Sequence, residues 1–241
     1  MADVTPREQV LAQYRPIRAA IQAVLDAAGE RCRKPDFDRA AKHLDLVDPA
    51  QLQSDQTVVM MTDIALFEPN QRGRRVIKRF VEERADALPV PERAIARRLP
   101  TAFFSIFRIA GWHEAGGVWL EDLLAPRRIW LMDENLEASA PEGLVIGLRV
   151  FDAGPFHAGF GIVVQPDAGA VAFCTAAAAR GEPIPVRHSL AAALYGDAIA
   201  EATMPASLEG ILEIADALVR AQAARTPPGR KPRAPARRGA R

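Results

Sequence analysis

Residues able to do acid-base or metal chemistry gather in one stretch of the chain. Asp122, Asp133, Glu134 and His157, with His113 nearby, lie where short apolar runs end, which makes them candidates for a carboxylate and histidine cluster that binds a metal or moves protons. No pair among them has the spacing of H-E-x-x-H or D-x-D that places two ligands side by side. The competing reading is structural: carboxylates at strand ends commonly accept backbone N–H bonds. That reading is favoured, with Asp122, Asp133 and His157 kept as catalytic candidates and no cofactor or resident metal expected.

Other chemistry is weaker. The stretch Gly154 to Gly161 is glycine-rich but lacks the Lys-Ser/Thr ending of a phosphate loop and does not open a helix. There is no G-x-S-x-G, and Cys174 sits in an alanine-rich helix where a thiol packs. Cys32 lies beside Arg31, Arg33 and Lys34, a setting that would lower its pKa, but no base is placed for it. His43 and His188 fit a helix and a cap region and carry no further weight.

Basic residues offer a second theme. Seven of the 31 Lys and Arg residues lie at or after Arg225, where there is no acid, so the remaining 24 face all 30 acids and the body carries −6 against a tail of +7. Arg230, Lys231, Arg233, Arg237 and Arg238 in that tail, and Arg74, Arg75, Lys78 and Arg79 on a face that begins at Arg72, are the candidate nucleic-acid contacts.

These residues must be positioned by the elements around them. Thr5, Pro6 and Glu8 form a capping box with proline at the first helical position, and an apolar stripe from Val10 to Ala28 predicts a helix that stops at Gly29 and is kinked or divided at Pro16. Further helices are expected from Pro35, from Asp48-Pro49, over Val58 to Phe67, over Arg74 to Ala87, and from Pro91 to before Pro100. From Thr101 the pattern becomes β. Strands are expected at Phe103 to Ala110, Gly117 to Leu123, Arg128 to Met132, Leu144 to Phe151 and Phe156 to Val164.

The last two carry the strongest signal. Leu144, Ile146, Leu148 and Val150 share one face, and Phe156, Ala158, Phe160, Ile162 and Val164 another, the alternation of half-buried strands. Ala115-Gly116-Gly117 and Asp152 to Pro155 read as hairpin loops, and Glu137 to Gly143 as a long turn. Helices return over Ala168 to Ala179, Ser189 to Ala202 and Ser207 to Ala224, and the segment from Thr226 onward has almost nothing to bury and is expected to be disordered. The expected fold is α+β: helical residues 1–100, a small five-stranded, mostly antiparallel β-barrel or rolled sheet at 101–164, helical residues 165–224 packed on it, and a basic tail at 225–241.

Composition bounds the class. Of the 241 residues, 49% are hydrophobic and 25% charged, an ordinary globular balance. Two distant cysteines exclude a disulfide framework and suggest a reducing compartment. A polar start and the shortness of the longest apolar run predict a cytoplasmic chain with no membrane partner.

The motifs Leu66 to Phe80, Gly-x-x-Leu-x-Asp-Leu-Leu (Gly117, Leu120, Asp122, Leu123, Leu124), Asp133, Glu137 with Ser139, and Gly143 together resemble an uncharacterised bacterial domain. In some proteins that domain accompanies a SEC-C metal-binding motif. The resemblance spans roughly residues 60 to 165 and implies no activity; the cysteine-rich SEC-C segment is absent here, so its metal is not carried over. The expected function is noncatalytic binding or adaptor activity toward a protein partner. The alternatives are nucleic-acid association through the basic residues and a metal-dependent hydrolase built on the carboxylate and histidine cluster.

Overall fold

The computed structural model describes residues 5–47, 51–52 and 54–203. The Asp48-Pro49 helix start, the Ser207 to Ala224 helix and the tail candidates Arg230, Lys231, Arg233, Arg237 and Arg238 lie outside the described residues. All the described residues but Thr203 belong to one unit, Met1–Ala202.

The first helix, α1 (Pro6–Gly29), opens with the expected capping box, in which the Glu8 N–H donates to Thr5 Oγ1 and the Thr5 N–H to Glu8 Oε2. Pro16 does not divide it. That proline is exposed, so the carbonyl it leaves unpaired faces water, while Tyr14, Ile21 and Val24 hold the opposite side in the core. Then follow α2 (Lys34–His43), α3 (Asp55–Phe67), α4 (Val76–Arg84) and α5 (Val90–Arg98).

The β segment has the five expected strands: β1 (Phe103–Trp112), β2 (Val118–Asp122), β3 (Arg128–Leu131), β4 (Val145–Asp152) and β5 (His157–Val164). They close into a ring in the order β1-β2-β3-β5-β4, with every pairing antiparallel except β3 with β5. That closing contact is short, the single pair Leu131↔His157 continued by the Met132 N–H to the His157 carbonyl at 3.0 Å. The four-residue β3 ends there, so the sheet is a ring and not a full barrel.

Phe107, Ile109, Leu120, Ile129, Leu131, Ile146, Leu148 and Val150 fill the interior. A helix absent from the sequence reading, α6 (Glu134–Ser139), takes up the start of the long turn expected over Glu137 to Gly143, while the chain does turn at Glu142 and Gly143. Asp133 caps it, and burial of Leu136 and Ala140 in the ring interior holds it against the low cooperativity of so short a helix. The chain ends its described part with α7 (Ala168–Ala179) and α8 (Leu190–Thr203).

The alternation in β4 and β5 is real but neither strand is half exposed. In β4 both faces are buried, one in the ring and the other under α1 and α3, where Phe151 packs. Ala158 and Phe160 of β5 point outward into that helical layer beside Phe67, whereas Val163 faces the ring. Helices on the outside of the ring supply the burial that a sheet pattern alone does not disclose.

Gly117 explains one motif position. Its φ is +76°, and a Cβ placed there would stand 2.3 Å from the Leu131 carbonyl oxygen. Gly117→Ala therefore combines backbone strain with a clash against an immovable neighbour. We expect it to lower the unfolding free energy in urea by at least about 3 kcal/mol, whereas Gly143→Ala, with open space around its Cβ, costs only backbone strain of about 1 kcal/mol.

Candidate functional site

Of the carboxylates singled out by the sequence, Asp122 and Asp133 are spent on local structure and Glu134 is not. Asp122 is buried at the end of β2; Oδ1 accepts from Ser105 Oγ at 2.6 Å and from the Leu124 N–H at 2.9 Å, and Oδ2 from Arg127 Nε at 2.6 Å. Asp133 Oδ1 accepts the Asn135 and Leu136 N–H groups at the start of α6. Glu134 pairs loosely with Arg15, at 3.7 Å.

His157 opens β5 opposite Asp152, half buried, and burial lowers its pKa. His113 stacks on Trp130 at 3.8 Å with its Nδ1 accepting the Ala115 N–H. Strand register puts Asp133 and His157 near the Leu131 end of the β2-β3 hairpin and Asp122 at the other, about 13 Å of strand away. No group of three or more His, Cys, Asp or Glu side chains able to hold a metal occurs among the described residues.

Glu137 knits the remaining motif positions together. It accepts the Gly117 N–H at 3.0 Å and pairs with Arg7, while its backbone carbonyl accepts from Trp112 Nε1. Burial pushes its carboxyl upward, but the bonds from Arg7 and Gly117 outweigh that and leave its pKa lowered. The Cys32 thiol departs from expectation: burial, reinforced by Asp36, pushes it up to about 11 despite Arg39 and Arg79 nearby, so it is not a ready thiolate.

A wide opening lies elsewhere. A cleft of about 1020 Å³ runs between α2 with the turn after it, the segment 69–72 between α3 and α4, and Arg187-His188 ahead of α8. A second space of about 310 Å³ continues from His43, Asp45, Arg187 and His188 toward Ala192 and Gly196 of α8. His43 and His188 stand between the two, stacked with ring centroids 4.0 Å apart and planes 9° from parallel.

Burial and the neighbouring His188 lower the His43 pKa, so its imidazole is held neutral where a solvated histidine would begin to protonate. At the foot of the cleft, His43 Nδ1 and Arg39 Nε are buried without a hydrogen-bond partner. Nothing in the sequence joins these histidines, which lie 145 residues apart, and a helix and a loop give no sign that they will meet.

Charge in the cleft is unevenly matched. Asp36 spends one oxygen on the Arg33 N–H and the other on Arg39, and Asp38 takes Lys34 on both oxygens. Asp45 pairs with Arg187 at 3.0 Å, both side chains being more than two-thirds exposed, an arrangement worth no more than about 1 kcal/mol. Lys42 and Arg72 have no carboxylate partner among the described residues, nor do Arg74, Arg75 and Lys78, which are exposed just beyond Arg72. Arg79 turns back to donate to the Arg31 carbonyl.

Asp45 is the one non-glycine residue with positive φ, +51°, among the described residues. It occupies the position past the end of α2 where helices favour glycine, with the Leu46 N–H reaching back to the Ala41 carbonyl and the Asp45 N–H to that of Lys42. An aspartate tolerates this conformation better than most residues, and here it aims a carboxylate at Arg187.

The walls of the cleft share one anchor. Arg149 of β4, 5% exposed, donates from Nε to both oxygens of Asp63 at 3.0 Å and from a terminal nitrogen to Glu68 at 3.1 Å, both acids belonging to α3 or its end. Its guanidinium also lies over Phe67 at 4.9 Å and Phe104 at 5.8 Å. Tyr195 of α8, fully buried, packs edge-on to Phe104 and turns its hydroxyl toward Asp63 without closing a hydrogen bond. Glu68 directly precedes the 69–72 wall, and Gly196 of α8 sits so close to the Leu44 carbonyl that a Cβ would be 3.3 Å from it.

The fold and this arrangement define an α+β protein in which helices pack outside a five-stranded ring. The chain belongs to a family of unknown function, DUF7986, matched over residues 8–165. No curated protein and no solved structure matches it. The match spans the ring, α2 and the 69–72 wall, and ends before Arg187, His188 and α8. No helix among the described residues is long and apolar enough to cross a membrane.

The neutral state of His43 has a consequence for stability. With its folded pKa below the unfolded value, its contribution is present above about pH 6.5 and is lost as pH falls through the folded pKa. The stability of the wild type to urea should therefore fall on acidification from about pH 7 to 5, and His43→Gln should show a flatter profile over that range.

Proposed function

We propose that this protein is a noncatalytic binding module whose ligand enters the cleft beside His43 and His188. The observation that carries the reading is the cleft itself, about 1020 Å³ with Lys42 and Arg72 left without carboxylate partners on facing walls. That volume is at the upper end of ordinary ligand sites. In support, Asp122 and Asp133 are spent on bonds that shape the ring, which leaves them poorly placed to take protons from a substrate. An association of related domains with SEC-C segments would suit a module that sits beside a metal-binding appendage without holding the metal.

A second reading is nucleic-acid association, favoured by one observation. Arg72, Arg74, Arg75 and Lys78 form a run of exposed cations that leads out of the cleft, as phosphate-backbone contacts do. A protein partner would use the same surface through acidic side chains.

Thermal-shift screening of the full chain against a metabolite library and short oligonucleotides, repeated on Arg72→Glu, tests the reading. A ligand at about 100 times its Kd should add about 2.7 kcal/mol to the stability of the wild type, and the variant should lose that gain. Ligands whose effect is the same on both proteins, or the absence of any ligand, would refute the cleft as the binding site.

A further inference from the structure

We propose that the cleft recognises phosphate-bearing ligands, with Lys42, Arg72 and Arg187 supplying fixed charge and the His43–His188 stack supplying donors that strengthen when a proton is taken up. This inference rests on the reading of the cleft as a binding site and names its ligand chemistry.

Four features of the cleft converge on an anion. Its acids are already paired, Asp36 with Arg39, Asp38 with Lys34 and Asp45 with Arg187, while Lys42 and Arg72 are not, so an entering anion meets net positive charge. The exposed Arg187–Asp45 pair is weak enough for a dianion to take over the guanidinium, whose planar fork suits a phosphate. Two nitrogens of residues that line the cleft, His43 Nδ1 and Arg39 Nε, are buried without hydrogen-bond partners, so polar capacity there is left unspent within the protein.

The fourth feature is the stack. The His188 ring stacks 4.0 Å from that of His43 and disfavours a cation on His43 unless a counter-charge is brought to it. His43 faces Arg39 from α2 and His188 and Arg187 from the segment before α8; the acids nearby are Glu68 at the end of α3 and Asp45, whose carboxylate is spent on Arg187. A phosphate bound alongside reverses that balance for His43, and by linkage the affinity for it rises as that imidazole takes up a proton.

The test uses sulfate, which stays a dianion over the range concerned, so that any pH dependence belongs to the protein, together with inorganic pyrophosphate. Calorimetric titration of the full chain with sulfate should show saturable binding that is about 10-fold tighter near pH 6 than near pH 8. His188→Gln should remove most of that difference, Arg72→Gln should weaken binding about 10-fold at both pH values, and Asp45→Asn should tighten it by freeing Arg187. His188 and Arg72 are exposed and Asn suits the left-handed position, so these variants keep the fold.

Equal binding at the two pH values, an unchanged pH difference in His188→Gln, or affinity indifferent to Arg72→Gln would overturn the proposal; the last result would assign the anions to the basic tail. Competition by a nucleoside monophosphate or by an oligonucleotide, lost in Arg72→Gln, separates a free phosphate compound from a nucleic-acid backbone as the source. If the ligand screen yields compounds sensitive to Arg72→Glu while sulfate and pyrophosphate do not bind, the phosphate assignment falls alone. If it yields none, both fall together.

Discussion

A guanidinium buried in a sheet must be met by carboxylates, and the rest of this structure is arranged around that requirement. Arg149 projects from the outer face of β4 into the helical layer, where Asp63 and Glu68 meet it. Removing such ions from water costs several kcal/mol each, so the pair contributes little net stability compared with apolar packing, but breaking one side of it is strongly unfavourable. Its effect is on specificity: α3 has few ways to sit on the ring that leave no charge stranded. Phe67 and Phe104 close over the guanidinium, and Tyr195 brings α8 to the same point.

That constraint fixes the cleft as well. Glu68 ends α3 and the next four residues are a cleft wall, so the bond from Arg149 sets where the wall begins. Lys42 and His43 come from α2, which packs on α3, and His188 leads into the helix that carries Tyr195. Three chain segments far apart in sequence thus refer their positions to one buried ion pair. The weaker contacts, such as Arg187 with Asp45 on the rim, are free to exchange without disturbing it.

Much of the fold was legible because local patterns agree with it. The capping box at Thr5, the stripe of α1 and the alternation of β4 and β5 each encode their own element, and all five strands stand where aromatic and β-branched runs place them. What escaped has a common cause, since each case depends on distant packing. The helix α6 survives only because the ring receives Leu136, and Pro16 is tolerated because its loss faces water. Arg149 lies on the face of β4 opposite Leu148 and Val150, and it is buried because α3 covers that face.

The site was less legible than the fold. Asp122 and Asp133 drew attention as acids at strand ends, which is also where structural carboxylates belong. The histidines that do meet, His43 and His188, have no shared motif and no local spacing, and only the packing of α8 against the end of α2 brings them together. Arg72, at the start of the basic run, was the one residue the sequence pointed to that lines the cleft.

The dependence of the cleft on the buried ion pair is tested most directly by a double-mutant cycle on Asp63 and Arg149, using Asp63→Leu, Arg149→Met and the double variant, read by urea unfolding and by hydrogen exchange across residues 64–72 and 190–199. The account predicts single variants destabilised by about 3 to 5 kcal/mol, a double variant that recovers much of that loss, and protection falling together in both segments in the single variants. Additive losses with protection unchanged in α8 would contradict it.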